Sequence, residues 1–254
     1  MTQTLFSVTD KVVLVTGASR GIGKALAVGF AKAGAKVICA SSKADGTAET
    51  ENEIKAVGGT AVGVFADLAN HDAVDDMAQQ ALNAFGHIDV LVNNGGTISR
   101  YPAAEYPFAE FQKVIDVNLN SAFLLSQIVG KQMLAQGKGK IINIASMLSY
   151  TGGLTVPAYT ASKHAISGLT KALANEWAIH NVQVNAIAPG YFATDNTQAL
   201  RDNSERNAEI KKRIPSGLWG QPEQLVGAAI FLASQASDYV NGHILAVDGG
   251  WLAR

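Results

Sequence analysis

Short apolar runs rich in β-branched residues alternate with longer helical patterns from one end of this chain to the other. Most of these runs are apolar at every position, which is typical of strands buried on both faces of a parallel sheet. Parallel neighbours require a crossover after each strand, and such crossovers are right-handed. The expected strands are residues 11–16, 36–40, 60–65, 88–93, 140–145, 182–187 and 244–247. The pattern predicts an α/β fold with a doubly wound, Rossmann-type parallel sheet of about seven strands.

The segments between the strands indicate the domain organisation. The expected helices are residues 22–33, 73–85, 111–134, 158–178 and 223–233. The chain of 254 residues contains no linker, repeat or low-complexity segment, so we expect a single domain over residues 1–254. Residues 190–220 are polar and charged and contain no candidate strand. We expect this stretch to form a small helical lid over the substrate.

The composition limits the classes of function. Hydrophobic residues make up 48% and charged residues 16% of the chain, which is typical of a globular protein. The net charge is −1 without a basic block or an acidic tail, so we expect neither a nucleic acid nor a membrane as partner. No apolar run approaches the ~20 residues of a membrane span, and residues 1–10 do not resemble a signal peptide. A cytoplasmic location is therefore expected.

The residues that most often bind metals are sparse or scattered. Cys39 is the only cysteine and lies in an apolar run, which predicts a buried, inert thiol rather than a disulfide or a thiolate cluster. The five histidines have no ligand spacing. We expect no metal site.

A glycine-rich turn, TGASRGIG from Thr16 to Gly23, follows the first strand and opens the first helix. Glycines at such a turn let the main chain approach a pyrophosphate at the helix N-terminus, where the amides and the dipole attract anions. The position of the turn, more than the glycines themselves, predicts a dinucleotide site. The expected cofactor contacts in this turn are Gly17, Ser19, Arg20, Gly21, Ile22 and Gly23.

Tyr159 and Lys163 stand four residues apart in an expected helix, so their side chains share one face. A tyrosine with its ordinary pKa of about 10 exchanges protons poorly at neutral pH. A neighbouring ammonium favours the phenolate and lowers that pKa. The pair therefore predicts a general acid–base.

These motifs, with three others, resemble the short-chain dehydrogenase/reductase family over essentially the whole chain. Residues 93–96 (NNGG) are similar to the family's NNAG, and Gly95 in the usual alanine's place is expected to loosen this loop slightly. The other matching positions are Asn118, Ser146, Tyr159, Lys163, Pro189, Gly190 and Thr194.

The resemblance implies a catalytic set of Asn118, Ser146, Tyr159 and Lys163. Tyr159 would exchange a proton with the substrate oxygen while hydride moves between the nicotinamide and the carbonyl carbon, and Ser146 would bind the same oxygen. Lys163 would hold the nicotinamide ribose and lower the tyrosine pKa, and Asn118 would anchor a water that relays protons. Ser146 as a strand-end turn residue and Asn118 as a purely structural residue are the alternatives.

The resemblance also implies cofactor contacts outside the glycine-rich turn. Asp67 would meet the adenine amino group, with capping of the next helix as its alternative role. The remaining expected cofactor contacts are Leu68, Asn94, Gly95, Tyr159, Lys163, Pro189, Gly190, Phe192 and Thr194.

The end of the second strand bears on the choice between the two nicotinamide cofactors. Ser41 stands where a carboxylate would bind a ribose 2′-hydroxyl and repel a 2′-phosphate. Ser42 and Lys43 follow it, and Arg20 lies in the glycine-rich turn, so a 2′-phosphate has small polar neighbours and two cationic partners. This favours NADP(H). In the alternative, Lys43 and Arg20 point into solvent and NAD(H) stays possible.

The C-terminal half is similar to members of the family that act on sugar acids such as 2-dehydro-3-deoxy-D-gluconate. The similar stretches are residues 140–148, 185–191, 196–198 and 246–254. Arg100 is the candidate partner of a substrate carboxylate, because it follows the fourth strand at the edge where such sheets bind ligands. A solvated loop arginine is the alternative. The small-molecule substrate would then contact Ser146, Tyr159 and Arg100.

Two other functions stay open at this point. A carbonyl or 3-oxoacyl reductase of broad specificity would need an apolar pocket without a carboxylate partner. A dinucleotide sensor without catalysis would have no need of the pair Ser146 and Tyr159.

The long apolar helices at residues 111–134 and 158–178 carry more hydrophobic surface than one sheet face covers, and members of the family pair through these helices. Trp251 and Leu252 would be unusual as exposed apolar ends. A homotetramer is expected.

Overall fold

A computed structural model describes residues 5–254 and contains one sheet of seven parallel strands in the order β3-β2-β1-β4-β5-β6-β7. The strands are β1 (Val12–Thr16), β2 (Lys36–Ser41), β3 (Thr60–Phe65), β4 (Val90–Asn93), β5 (Gly139–Ile144), β6 (Val182–Pro189) and β7 (Ile244–Val247). All seven predicted strands are confirmed, with ends that differ by at most two residues. The doubly wound parallel sheet is therefore confirmed.

The position of each strand in the sheet explains its burial. β1, β4, β5 and β6 lie inside the sheet and are buried at every position. β3 and β7 form the two edges and are partly exposed. The continuous apolar pattern thus marks the strands that have a neighbour on both sides and helices on both faces.

Helices cover both faces of the sheet. They are α1 (Gly21–Lys32), α2 (Ala48–Ala56), α3 (His71–Phe85), α4 (Phe108–Ile115), α5 (Ser121–Gln136), α6 (Pro157–Trp177), α7 (Gln198–Asp202), α8 (Ser204–Arg213) and α9 (Val226–Ala233). The single helix predicted for residues 111–134 is wrong, because a π-helical turn at Asp116–Asn120 separates α4 from α5. Helix α2 escaped prediction since it buries only Thr50 and Ile54.

Alternate residues of each strand supply two separate core layers, as the two-residue period of a strand requires. Val13 and Val15 of β1 pack with the layer that contains Phe30 of α1. Leu14 of the same strand packs in the opposite layer, which contains Met77 of α3. The strands are thereby held rigidly, and the loops that follow them start from fixed points.

Residues 190–220, the expected lid, follow β6. A 3-10 turn at Asp195–Thr197, α7 and α8 lie within this stretch, and a β-bridge between Phe192 and Gly220 joins its two ends. The polar sequence thus forms helices, as predicted.

The C-terminal tryptophan packs within its own subunit. The Trp251 ring lies 4.7 Å from the Tyr191 ring, and the Arg213 guanidinium lies over it at 4.0 Å. Trp251 is thus not an exposed apolar end, in line with the expectation, because residues that precede β7 cover its ring.

Two features of residues 5–254 concern membranes and metals. None of the helices there combines the length and the apolar character that a membrane crossing needs. In the same part of the chain, no three histidine, cysteine or acidic side chains come together as metal ligands could. Cys39 is buried, and burial raises the pKa of its thiol to about 12.

Candidate active site

A cavity of about 530 Å³ lies at the carboxyl ends of the strands. The loops that follow β1, β2, β3, β4 and β6 all contribute to its wall. β1 and β4 are neighbours in the middle of the sheet, where the strand order reverses. Ligands of open α/β sheets bind at such a switch point.

The glycine-rich turn at one end of the cavity consists of main chain in close contact. Gly17 and Gly21 have φ of +65° and +55°, which disfavour other residues. A Cβ on Gly23 would lie 2.1 Å from the Gly17 carbonyl oxygen, so a side chain there is excluded. Helix α1 starts here without an acidic residue in its first turn. The turn fits an anionic group such as a pyrophosphate.

Thr16 ties the loop after β4 to this turn. Its Oγ1 accepts hydrogen bonds from the main-chain N–H groups of Asn94 (3.0 Å) and Gly95 (2.8 Å). The Asn94 Nδ2 donates in return to the Thr16 carbonyl at 2.8 Å. These bonds hold the loop in place; the expectation that Gly95 loosens it relative to alanine stays a prediction, because an alanine would make the same main-chain bonds. Thr16 was missed as a site residue, although it directly precedes the first glycine.

The two expected partners of a 2′-phosphate, Arg20 and Lys43, differ in their position relative to the cavity. The Ser41 hydroxyl donates to the Lys43 carbonyl at 2.8 Å, which closes the turn on itself. Ser41, Ser42 and Arg20 line the cavity, whereas the exposed Lys43 does not. The prediction that Lys43 faces the cofactor is therefore not supported. Arg20 also approaches the lid, with its Nη1 3.8 Å from Asp195 Oδ2.

Asp67 and Leu68, which follow β3, line the same end of the cavity. The Asp67 carboxylate accepts from the Ala69 N–H at 3.0 Å. Asn70 caps α3 instead and accepts from the Ala73 N–H at 3.2 Å. The helix-capping role for Asp67 is therefore wrong.

Tyr159 lies in the first turns of α6 and lines the other end of the cavity. Burial raises the pKa of its phenol, while the hydrogen bond with the Ser146 side chain and the positive charge of Arg100 lower the pKa by smaller amounts. The Ser146 hydroxyl also accepts from the Leu148 N–H at 3.2 Å. Ser146 thus meets Tyr159 and forms a strand-end turn as well.

Lys163 is buried one helical turn after Tyr159. Its Nζ donates to the Ile144 carbonyl at 2.6 Å and lies 5.5 Å from the centre of the Tyr159 ring. Burial lowers the pKa of this ammonium to about 8. We expected Lys163 to lower the tyrosine pKa, but Ser146 and Arg100 have that effect here, because Nζ is directed at the end of β5.

Asn118 lies in the π-helical turn and is buried. Its Oδ1 accepts from the Thr97 N–H at 2.7 Å, and its Nδ2 donates to the Thr97 carbonyl (2.9 Å) and the Ser162 hydroxyl (3.1 Å). The amide clamps the loop after β4 to α6. Because the side-chain amide is used in these bonds, a water relay at Asn118 would have to use the main-chain carbonyl of this residue. π-helical turns like the one that contains Asn118 are frequent at functional sites.

Arg100 extends from the loop after β4 and lines the cavity. It is exposed, and among residues 5–254 no carboxylate forms an ion pair with it. The next residue is fixed, because the Tyr101 N–H donates to the Thr155 carbonyl at 3.0 Å. The cavity therefore presents an uncompensated guanidinium near Tyr159.

Comparison with known proteins agrees with this geometry. The family model described as short chain dehydrogenase matches residues 11–205. The chain belongs to the short-chain dehydrogenase/reductase family.

Individual members of this family are similar over nearly their full length. A 2-dehydro-3-deoxy-D-gluconate 5-dehydrogenase of Pseudoalteromonas atlantica (strain T6c / ATCC BAA-1087) is 55% identical over 251 residues, which cover 98% of each chain. The protein of the same name from Bacillus subtilis (strain 168) is 52% identical over 249 residues, 98% of this chain and 97% of the relative.

A solved structure of the family superimposes closely. It is assigned as an NAD(P)-dependent gluconate 5-dehydrogenase from Beutenbergia cavernae and holds NADP at low occupancy. Its TM-score is 0.96 with 52% identity, and the match covers 99% of this chain and 100% of that chain.

The family turn after β6 is only partly at the cavity. Thr194 lines the cavity, but Pro189, Gly190 and Phe192 do not. Phe192 is buried in the core, and a Cβ on Gly190 would lie 2.6 Å from Asp248 Cα. In this structure these residues pack the end of β6.

Several residues that line the cavity were not predicted from the sequence. Asp195, Asn196 and Thr197 follow Thr194 along the wall, and Lys113 and Val117 precede Asn118. Lys113 and Val117 stand four residues apart in the helical segment that leads to Asn118, so their side chains share one face. This spacing is the sequence signal that could have indicated them.

Proposed function

We propose that this protein is an oxidoreductase that transfers a hydride between NADP(H) and a keto or hydroxy group of a sugar acid such as 2-dehydro-3-deoxy-D-gluconate. The observation that carries the proposal is an arginine without an ion-pair partner, Arg100, in the same cavity as Tyr159. A substrate with both a carboxylate and a reacting carbonyl would use both groups.

The catalytic set of the proposal is Asn118, Ser146, Tyr159 and Lys163. A bound nicotinamide would supply or accept the hydride at the carbonyl carbon. Tyr159 donates its phenolic proton to the substrate oxygen in reduction and removes it in oxidation, and the Ser146 hydroxyl orients the same oxygen. The Ser146 hydroxyl and the positive charge of Arg100 stabilise the phenolate that remains after proton donation. The buried Lys163 would hold the hydroxyls of the nicotinamide ribose.

NADP(H) is the preferred cofactor of the proposal, and NAD(H) is the alternative. Arg20 lines the cavity near Ser41 and Ser42, and a carboxylate that would repel a 2′-phosphate is missing from the end of β2. The bound NADP of the Beutenbergia cavernae structure supports this choice.

The sugar-acid substrate is supported by the chemistry of Arg100 and by the names of the relatives. A guanidinium forms two parallel hydrogen bonds with a carboxylate, which fixes the position of the carbonyl. The relatives from Pseudoalteromonas atlantica and Bacillus subtilis are both named 2-dehydro-3-deoxy-D-gluconate 5-dehydrogenase. A carbonyl or 3-oxoacyl reductase would leave this cation without a partner.

A single domain with residues 190–220 as a substrate lid is part of the proposal. Residues 194–197 line the cavity, and the ion pair between Asp195 and Arg20 connects this stretch with the glycine-rich turn. Closure of the lid would exclude water from the reacting atoms.

A homotetramer and a cytoplasmic location complete the proposal. Phe108 of α4 and Phe123 of α5 are 77% and 41% exposed, which supports contacts of these helices with another subunit. Light scattering tests the assembly, and a monomer at micromolar concentration would contradict it.

Steady-state rates with NADPH and NADH test the proposal. The substrate panel contains 2-dehydro-3-deoxy-D-gluconate, other keto-uronates, simple ketones and a 3-oxoacyl thioester. We expect the highest kcat/KM for a keto acid with NADPH. A higher kcat/KM for the uncharged ketones or the thioester would favour the broad reductase, and cofactor binding without turnover of any substrate would favour the sensor.

A further inference from the structure

The loop after β4 presents alternate residues to the cavity. Ile98 and Arg100 line the cavity, whereas Ser99 and Tyr101 do not. An extended chain produces this alternation, because its successive side chains point to opposite sides. The direction of the Arg100 side chain therefore depends on how the two residues beside it are held.

Tyr106 contacts both of these neighbours. Its hydroxyl is hydrogen-bonded to the Ser99 hydroxyl and donates to the Ser99 carbonyl at 3.3 Å. Its ring meets the Tyr101 ring edge to face, with the ring centres 5.4 Å apart. Ser99 directly precedes Arg100 and Tyr101 directly follows it. A single side chain thus holds the loop on either side of this arginine.

Tyr106 is itself held by packing and lies outside the cavity wall. Its ring meets the ring of Phe111 in α4 edge to face, at 6.2 Å and 82°. Tyr106 is partly buried, whereas residues 101–105 and 107–109 around it are exposed. It does not line the cavity. An effect of Tyr106 on a ligand would therefore have to pass through the loop that carries Arg100.

Arg100 is a residue for which such support matters. Its side chain is exposed and flexible, and a guanidinium makes two parallel hydrogen bonds with a carboxylate only in one relative orientation. Ordering a mobile loop at the moment of binding costs affinity, and a loop that is already fixed avoids this cost. The main-chain bond from Tyr101 to Thr155 fixes the loop after Arg100. The bond between Tyr106 and Ser99 fixes it directly before Arg100.

We propose that Tyr106 is a positioning residue that orients Arg100 and thereby sets the preference for substrates with a carboxylate. This inference rests on the proposed function, in which Arg100 binds the substrate carboxylate. Tyr106 contacts neither the substrate nor the reacting atoms.

The test measures kcat/KM with NADPH for 2-dehydro-3-deoxy-D-gluconate and for an uncharged ketone such as cyclohexanone. Tyr106→Phe keeps the ring contacts and removes the bond to Ser99. It should lower kcat/KM on the keto acid about fivefold, as for one lost hydrogen bond, mainly through a higher KM. The value for the ketone should stay within about twofold of the wild type. Tyr101→Phe is the matched control, because it removes a hydroxyl beside Arg100 that no group of residues 5–254 hydrogen-bonds, and both values should stay unchanged.

A double-mutant cycle with Arg100→Met shows whether Tyr106 acts through Arg100. In the Arg100→Met background, Tyr106→Phe should change kcat/KM on the keto acid by about twofold or less, because the group that it positions is absent. An equal further loss in that background would overturn the inference, and so would equal losses of Tyr106→Phe on both substrates.

The same assays distinguish a failure of this inference from a failure of the proposed function. A keto-acid preference that Arg100→Met abolishes and Tyr106→Phe leaves intact would overturn the inference alone. A wild type without any preference for the keto acid would contradict the proposed function, and the inference with it.

Discussion

The nucleotide end of the cavity is formed by main chain in close contact, whereas the substrate end is formed by side chains of helix α6 and of the loop after β4. At the first end, Gly17 and Gly23 approach so closely that a Cβ on Gly23 has no room. At the second end, Arg100 is exposed and Tyr159 is only partly buried. We infer that substitutions act sterically on cofactor binding at one end and chemically on turnover at the other.

Tyr159→Phe should give the largest effect and would separate the two ends. The ring is kept and only the proton carrier is lost, so turnover should fall by about 10²–10⁴-fold. The Kd of NADPH, measured by fluorescence, should stay close to that of the wild type. Tyr239→Phe, at a fully exposed tyrosine, is the matched control. Near wild-type turnover of Tyr159→Phe would falsify the assigned proton donor, and a lost cofactor affinity would show that the ends are not independent.

Arg100→Met should cost about 2–4 kcal/mol in kcat/KM on a keto acid, because it removes a charge-assisted pair. Activity on an uncharged ketone should barely change. Arg206→Met, in the exposed ion pair with Glu209 on α8, is the control for loss of an arginine. Equal losses on both substrates, or none on either, would mean that the carboxylate binds elsewhere, for example at residues 190–220 or at Lys113.

Ser41→Asp tests the nucleotide end by adding a negative charge at the end of β2. A carboxylate at this position would repel a 2′-phosphate, so the ratio of kcat/KM for NADPH over NADH should fall at least tenfold, about 1.4 kcal/mol. Ser41→Ala removes the hydroxyl bond to the Lys43 carbonyl without adding charge and should leave the ratio nearly unchanged. A wild type that already prefers NADH tenfold would contradict the phosphate-binding interpretation.

The order of motifs along the chain predicted the fold and most of the nucleotide end. Parallel strands place their carboxyl ends at one edge, so a glycine-rich turn after β1 and an asparagine loop after β4 had to meet. Glycine is required at positions 17, 21 and 23, because each of them has a φ or a close contact that other residues do not tolerate.

Side-chain directions were harder to predict from the sequence. Lys43 is exposed, Phe192 is buried and the Asn118 amide is occupied by Thr97, and each outcome depends on loop conformation rather than on a repeating pattern. Trp251 is buried because Tyr191 and Arg213, distant in sequence, cover it. Contacts of this kind have no periodic signal in one sequence.

Arg20 and Lys43 give the smallest and sharpest comparison within the nucleotide end. Both cations are exposed, but only Arg20 lines the cavity. Arg20→Ala should raise the KM for NADPH more than the KM for NADH. Expressed as free energy, the difference between the two effects should be about 1 kcal/mol or somewhat more, as for the loss of a hydrogen bond to a charged group. Lys43→Ala should change either value by less than about 0.5 kcal/mol, since exposed charges contribute little at a distance. Steady-state titration of both cofactors measures the four values. A larger NADPH effect from Lys43→Ala would mean that the turn after β2 rearranges around the phosphate, so that this end is less fixed than its glycines imply.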